Sequence, residues 1–262
     1  MNRISIGVQS FCSNELKAAG RIHTADEAAE TVRLAKKYGF DNINLDIMMN
    51  LPGQTDESLK NTLLTAIELE PSHLSCYSLI LEENTPLYED YKSGKYKETD
   101  QETDRRRYHE MIELLKKNGY FQYEISNFSK PGRECKHNIK YWSCEEYIGL
   151  GAAAHSYYKG KRFSNTADIK KYFEDNNRIE NIEILSENDR ISEYMIMKLR
   201  MTEGIDENAF YKRFGKKIDD IYKNQLESFI KKGLIKYNNG FYSLTEYGTD
   251  ISNYVMCEFL IN

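Results

Sequence analysis

Two hydrophobic periods alternate over residues 1–81, and this alternation constrains the fold more than any other feature. In NRISIGVQSF, Ile4, Ile6 and Val8 alternate with Ser5, Gly7 and Gln9, the period of a strand. In HTADEAAETVRLAKKYGF the period becomes helical. Thr24 and Glu27 have capping-box spacing, Ala28, Val32, Leu34 and Ala35 form an apolar stripe, and Gly39 marks the stop. Ile43, Leu45 and Ile47 give a second strand. LPGQT turns the chain, Leu59, Leu63, Ala66 and Ile67 mark a second helix that ends by Pro71, and HLSCYSLIL is a third strand. A β-α-β-α-β order predicts an α/β fold with a parallel sheet and right-handed crossovers.

Beyond this repeat the pattern weakens. Residues 82–98 read as a loop. Residues 100–118 read as a charged helix with Met111, Ile112, Leu114 and Leu115 inward, and residues 120–165 show little regular period. A short helix is predicted at 166–175 and a linker at 176–185. Helices then fit 187–201, 206–214 and 217–232, followed by an Asn-Asn-Gly hairpin in GLIKYNNGFYSLTEYG and a last helix to about Leu260. Three helices and a hairpin make a winged-helix-like module. A nucleic-acid-binding protein is therefore one class to weigh. Against it, the net charge is −5, and Asp219, Asp220 and Glu227 interrupt the basic face of KKIDDIYKNQLESFIKKG. The 20 tyrosines read as packing residues. Five scattered cysteines without a CxxC, no leader-like segment and no apolar run near the length of a membrane helix point to the cytoplasm.

Ligands of parallel α/β folds bind at the C-terminal ends of the strands. The polar residues there are Gln9, Asp46, and Tyr77 or Ser78. Asp46 stands in an apolar strand, where a carboxylate needs hydrogen bonds or a counter-charge. A structural pair with Arg21 and a ligand carrying donors are equally open on spacing alone. LPGQT lacks the glycine spacing and lysine of a phosphate loop and reads as a turn capping the next helix. GLGAAAH predicts close backbone packing, with His155 a hydrogen-bonded core residue. HNIKYW gathers His137, Asn138, Tyr141 and Trp142. It reads first as an aromatic cluster over an exposed edge, and second as one wall of a pocket for a large planar ligand, with His137 an axial ligand.

Taken in order, NRISIGVQSF, GRIHT, FDNINLDIMMNLPGQT, YEISNFSKPGRECKHNIKYW and YIGLGAAAHSYY resemble the oxygen-independent coproporphyrinogen oxidase-like group of radical SAM proteins. HNIKYW is similar to the HNxxYW signature of its haem-chaperone branch. The resemblance covers the whole chain. It implies the C-terminal three βα units of an incomplete TIM-type barrel at 1–98, a barrel extension with HNIKYW at 99–175, and the winged-helix-like domain at 186–262. It implies that Gln9, Arg21 and Asp46 contact S-adenosylmethionine: Asp46 at the ribose hydroxyls and Arg21 by the methionine carboxylate. Ile80 would form part of the adenine wall. His137, Asn138, Tyr141 and Trp142 would form a haem site, and haem would pass to acceptor proteins such as respiratory ones. Coproporphyrinogen III oxidation is the alternative within the group.

One departure is large. The group holds a [4Fe–4S] cluster on CxxxCxxC, and no two cysteines here are separated by two or three residues. The resemblance therefore implies that the cluster loop lies in three earlier βα units. It also implies that this chain is inactive alone, and that it is poorly soluble without an N-terminal half-barrel partner, because an unpaired sheet edge favours aggregation.

Overall fold

In the computed structural model, residues 2–174 and 178–261 are described. The chain divides into two compact units, 1–135 and 136–262, so the division falls inside the segment read from sequence as one extension.

The first unit runs β1 (Ile4–Gln9), α1 (Ser13–Ala18), α2 (Ala25–Lys37), β2 (Ile43–Met49), α3 (Asp56–Glu68), β3 (His73–Ser78), α4 (Pro86–Lys92), α5 (Gln101–Lys117), β4 (Phe121–Glu124) and β5 (Asn127–Ser129). The three βα units form the expected parallel sheet, and an antiparallel hairpin extends it in the order β1-β2-β3-β5-β4. Thr24 caps α2 in the predicted box, its Oγ1 accepting from Glu27 N at 3.2 Å. Thr55, the last residue of LPGQT, caps α3 in the same way.

The two faces of this sheet differ. Val8, Ile43, Leu45, Ile47, Leu74, Cys76 and Phe128 pack under Ala28 and Val32 of α2, Leu59, Leu63 and Ala66 of α3, and Tyr108, Met111 and Leu115 of α5. Each large side chain buried there contributes about 1.5–3 kcal/mol. The opposite face carries Ser5, Asn44, Asp46, His73, Ser75 and Asn127, which the register sets side by side: Ser5 with Asn44, Asn44 with His73, Asp46 with Ser75, and Ser75 with Asn127. Parallel sheets ordinarily bury apolar residues on both faces, so a polar row across four strands needs its own explanation.

The second unit begins with α6 (Lys136–Trp142), β6 (His155–Tyr158), β7 (Lys161–Asn165), α7 (Ile169–Glu174) and β8 (Ile179–Ile184), with β6-β7-β8 forming one antiparallel sheet. It continues with α8 (Glu187–Leu199), β9 (Ile205–Asp206), α9 (Glu207–Phe214), α10 (Ile218–Lys231), β10 (Ile235–Asn238), β11 (Phe241–Leu244), α11 (Glu246–Asp250) and α12 (Ser252–Cys257). The three helices and the hairpin form the predicted winged-helix-like module, with β9 as a third strand.

Several expectations are corrected. The 82–98 loop contains α4, opened by Thr85 as cap and Pro86 in the first turn. The 120–165 stretch holds four short strands and α6. The 176–185 linker contains β8, while its residues 176 and 177 lie outside the described residues. In β8 Ile179 and Ile182 stand three residues apart, out of strand period, and the chain absorbs the extra residue where Asn181 takes φ 53° and the register with β7 shifts. The last helix is two, broken at Ile251. His155 is exposed rather than in the core. The close packing predicted for GLGAAAH is present, since a Cβ on Gly149 would lie 2.2 Å from the carbonyl oxygen of His155.

Candidate functional site

The polar row of the first unit is a connected hydrogen-bond network. Asp46 Oδ2 accepts from Ser5 Oγ at 3.1 Å and Oδ1 from Asn44 Nδ2 at 2.8 Å. Among the described residues no ion pair reaches Asp46, so the Asp46–Arg21 pair weighed from spacing does not form. Hydrogen bonds that involve a charged group contribute about 1.5–3 kcal/mol each, enough to hold a half-buried carboxylate without a counter-ion.

The other candidates gather around Tyr77. Its hydroxyl donates to Gln9 Oε1 at 3.4 Å. Burial raises the Tyr77 pKa first, the negative charge of Asp46 raises it further, and Gln9 and the positive charge of Arg21 oppose the shift. Gln9 is buried, 5% exposed, and takes φ 66° where β1 departs from its register with β2. A non-glycine residue in the left-handed region costs roughly 1 kcal/mol or more, so the backbone holds this side chain against a local preference. Arg21 is exposed just beyond α1. Ile80 lies past β3 and is 78% exposed; it is an uncovered apolar side chain, apart from the network.

LPGQT is a pinned turn. Asn50 N donates to Gln54 Oε1 at 2.6 Å, and Gln54 Nε2 donates to Glu15 Oε2 at 2.9 Å. Arg107 of α5 reaches in with three donors, to Asn50 Oδ1 at 2.9 Å, Gln54 O at 3.1 Å and Asp56 Oδ1 at 2.7 Å. Next to it, at the ends of β2 and β3, a cavity of about 170 Å³ is lined by Asn50, Ser78, Tyr96 and Asp104 among others.

The sequence reading overlooked Ser5, Asn44, His73 and Ser75. Their signal was present as polar residues at every second position of three adjacent strands. His73 is fully buried, and desolvation, followed by the charge of Arg3, lowers its pKa to about 3, so it is neutral.

In the second unit, HNIKYW is helix α6, with no residue fully buried. His137 is exposed, and its ring lies 4.9 Å from Tyr141, which meets Tyr147 at 4.6 Å, both edge-on. Asn138 and Trp142 are half-buried. The Trp142 Nε1 is fully buried without a hydrogen-bond partner, and the Arg200 guanidinium lies 4.5 Å from the indole centre. In α10, Asp219 and Asp220 occupy the first turn, and Asp219 accepts from Tyr242 Oη at 2.8 Å. Carboxylates at that end are opposite to what a phosphate backbone needs.

The residues present do not fit an iron–sulfur cluster. Cys76 is fully buried with its thiol pKa pushed well up by desolvation, Cys144 is pushed up to about 11 for the same first reason, and the described residues contain no group of three metal-ligating side chains. No described helix is long and apolar enough to cross a membrane.

Comparison with known proteins gives a consistent picture. Residues 1–66 match the family model described as the radical SAM superfamily, and residues 185–251 match the HemN C-terminal domain. The chain is 36% identical to the heme chaperone HemW of Bacillus subtilis over 99% of this chain and 70% of that protein. It is 33% identical to heme chaperone HemW of Escherichia coli over 99% of this chain and 68% of that protein. The solved structure of the Escherichia coli coproporphyrinogen III oxidase HemN, described as a radical SAM enzyme, superposes with a TM-score of 0.80 at 21% identity, covering 99% of this chain and 64% of that one. This last likeness concerns the fold.

Proposed function

Because this chain belongs to the HemW family of radical SAM haem chaperones, we propose that it binds S-adenosylmethionine on the polar face of its first unit and haem at α6, and that it passes haem to acceptor proteins. The observation that carries the reading is the grouping of Gln9, Arg21 and Asp46 around Tyr77 at one end of a parallel sheet. The residue types fit the nucleoside. Asp46 accepts one protein hydrogen bond on each oxygen and retains acceptor capacity on both for a pair of ribose hydroxyls. The exposed guanidinium of Arg21 suits a carboxylate, and Gln9 brings an amide into the same region. Ile80 offers apolar surface for a base.

Where a reduced iron–sulfur cluster is present, it would supply the one electron that cleaves the S–C5′ bond of S-adenosylmethionine, releasing methionine, and so the radical chemistry of the superfamily. The donor set of such a cluster does not fit this chain, so the chain's own residues are assigned binding and orientation, with no radical step. Haem is cargo here. Exposed His137 is an available axial ligand and the edge-packed Tyr141 and Tyr147 a flat aromatic wall; Asn138 and Trp142 line the same short helix. Free cysteines suit a reducing cytoplasm, and respiratory haem proteins are the acceptors we favour.

The test is a haem titration of the 262-residue chain read by its Soret band, beside a coproporphyrinogen III turnover assay. We expect saturable haem binding that weakens about tenfold or more in His137→Ala, as loss of an axial ligand would require, and no turnover. Turnover without haem binding would overturn the chaperone reading in favour of porphyrinogen oxidation.

A further inference from the structure

The Asp46 carboxylate is oriented by a chain of hydrogen bonds whose direction can be assigned at every step. Asn44 Oδ1 receives His73 Nδ1 at 2.6 Å and lies 3.2 Å from Ser75 Oγ. With Oδ1 on that side, Nδ2 faces Asp46 Oδ1 at 2.8 Å and Ser5 Oγ at 2.7 Å, and Ser5 passes its own hydrogen to Asp46 Oδ2. The opposite amide orientation would set the Asn44 oxygen against a carboxylate, which cannot donate. His73 in turn is fixed as the Nδ1–H tautomer, because Asn44 Oδ1 can only accept; its Nε2 then accepts from the Tyr123 hydroxyl at 2.8 Å, whose oxygen accepts from Cys135 N at 3.3 Å. Burial keeps the His73 ring neutral, as this arrangement requires. Ser75 is anchored on Asn127 Oδ1 at 2.8 Å, and Asn127 donates to Glu124.

We propose that Asn44, oriented by His73 and Tyr123, is the positioning residue of the nucleoside site: it fixes the orientation of Asp46 so that its carboxylate offers free acceptor positions to the ribose hydroxyls. Asn44 does not touch the ligand. It occupies one acceptor position of Asp46 Oδ1 directly and, through Ser5, one of Oδ2. One acceptor position on each oxygen remains, to which a ribose hydroxyl can donate and a 2′,3′-dideoxyribose cannot. Without Asn44 the carboxylate can rotate about its terminal torsion, which is intrinsically broad, and the ligand must then bear the ordering cost. The inference rests on the reading that S-adenosylmethionine binds at Asp46.

The experiment is calorimetric titration of the full chain with S-adenosylhomocysteine and with its 2′,3′-dideoxy analogue, which contacts the same site without the diol. The wild type should prefer the diol by about tenfold or more. Asn44→Ala should reduce that ratio to about threefold or less while the affinity for the dideoxy analogue stays unchanged, a split that loss of folding would not produce. His73→Leu should lower the ratio too, and His73→Gln, which restores a donor toward Asn44, should recover much of it. Ser5→Ala serves as a second variant if Asn44→Ala does not fold, with a smaller fall in the ratio. If Asp46→Asn abolishes the preference and Asn44→Ala and Ser5→Ala retain it, the positioning role is overturned and the nucleoside reading stands. If the wild type shows no preference, or Asp46→Asn leaves it intact, both fall.

Discussion

Replacing Arg213 with Ala should loosen α6 without touching it. The helix closes in a Schellman-type turn. Glu145 N donates to Lys140 O at 2.9 Å and Cys144 N to Tyr141 O at 3.0 Å, with Cys144 at φ 47° in the position glycine usually fills. That backbone costs about 1–2 kcal/mol for a cysteine. Arg213 of α9 compensates by donating to the freed carbonyls, Nη1 to Ser143 O at 3.0 Å and Nη2 to Cys144 O, and its guanidinium lies 5.0 Å from the Tyr194 ring centre. The two hydrogen bonds are exposed, so about 0.5 kcal/mol each is appropriate, and the cation–π contact adds about 0.5–1 kcal/mol. The expected loss in Arg213→Ala is therefore about 1.5–2 kcal/mol. Trp142, the last residue of α6 and the only tryptophan in the chain, reports it. A urea titration followed by its fluorescence should shift to lower midpoint by about 1 M, given slopes of about 1–3 kcal/mol per molar. In a Cys144→Gly background, where the turn carries no strain, the same substitution should cost distinctly less. A shift below about 0.2 M in the original background, or equal shifts in both, would refute the account of how α6 is held.

Three further outcomes follow from single features. Gly149→Ala places its Cβ against the His155 carbonyl and should destabilise by about 2–4 kcal/mol, since the backbone itself must move; thermal melting checks this. Arg107→Met should cost about 3 kcal/mol by leaving the Asn50 and Gln54 acceptors with one donor fewer. Hydrogen exchange should show faster exchange of the backbone amides of residues 50–54, and unchanged protection would contradict the pinned turn. His73 has a folded-state pKa lowered to about 3 from 6.5, so the unfolded chain binds the extra proton in between. Stability from this group is fully present above about pH 6.5 and falls as pH drops toward 3, by up to about 1.4 kcal/mol per unit. His73→Gln should be less acid-sensitive than the wild type over that window in paired denaturation curves, and parallel pH dependences would count against the shift.

Legibility from sequence tracked the length and regularity of each element. The βα repeat was readable because the apolar positions of each element follow one period and Thr24 and Thr55 cap helices with local spacing. The helices and hairpin after residue 186 were readable for the same reasons. The segment 120–184 was not, because its strands are three to six residues long, and in the longest, β8, a register shift breaks the alternation that would betray it. Asp46 stood out as a lone charge in an apolar strand. Asn44 and His73 did not, because each is unremarkable alone and gains meaning only from the neighbouring strand that the register brings beside it. Ile80 shows the reverse limit: a motif position can be named from sequence, while its exposure depends on where β3 ends.

The hydrogen-bond directions on the polar face also amount to a donor inventory, and around Asp46 it is spent. The Ser5 hydrogen goes to Asp46, both Asn44 amide hydrogens go to Ser5 and Asp46, His73 gives to Asn44, and Ser75 gives to Asn127. What this stretch presents is acceptor and negative charge. On the proposed nucleoside reading, a ribose phosphate placed there should meet repulsion and no free hydrogen from these four side chains, a selection against phosphorylated sugars that needs no steric gate.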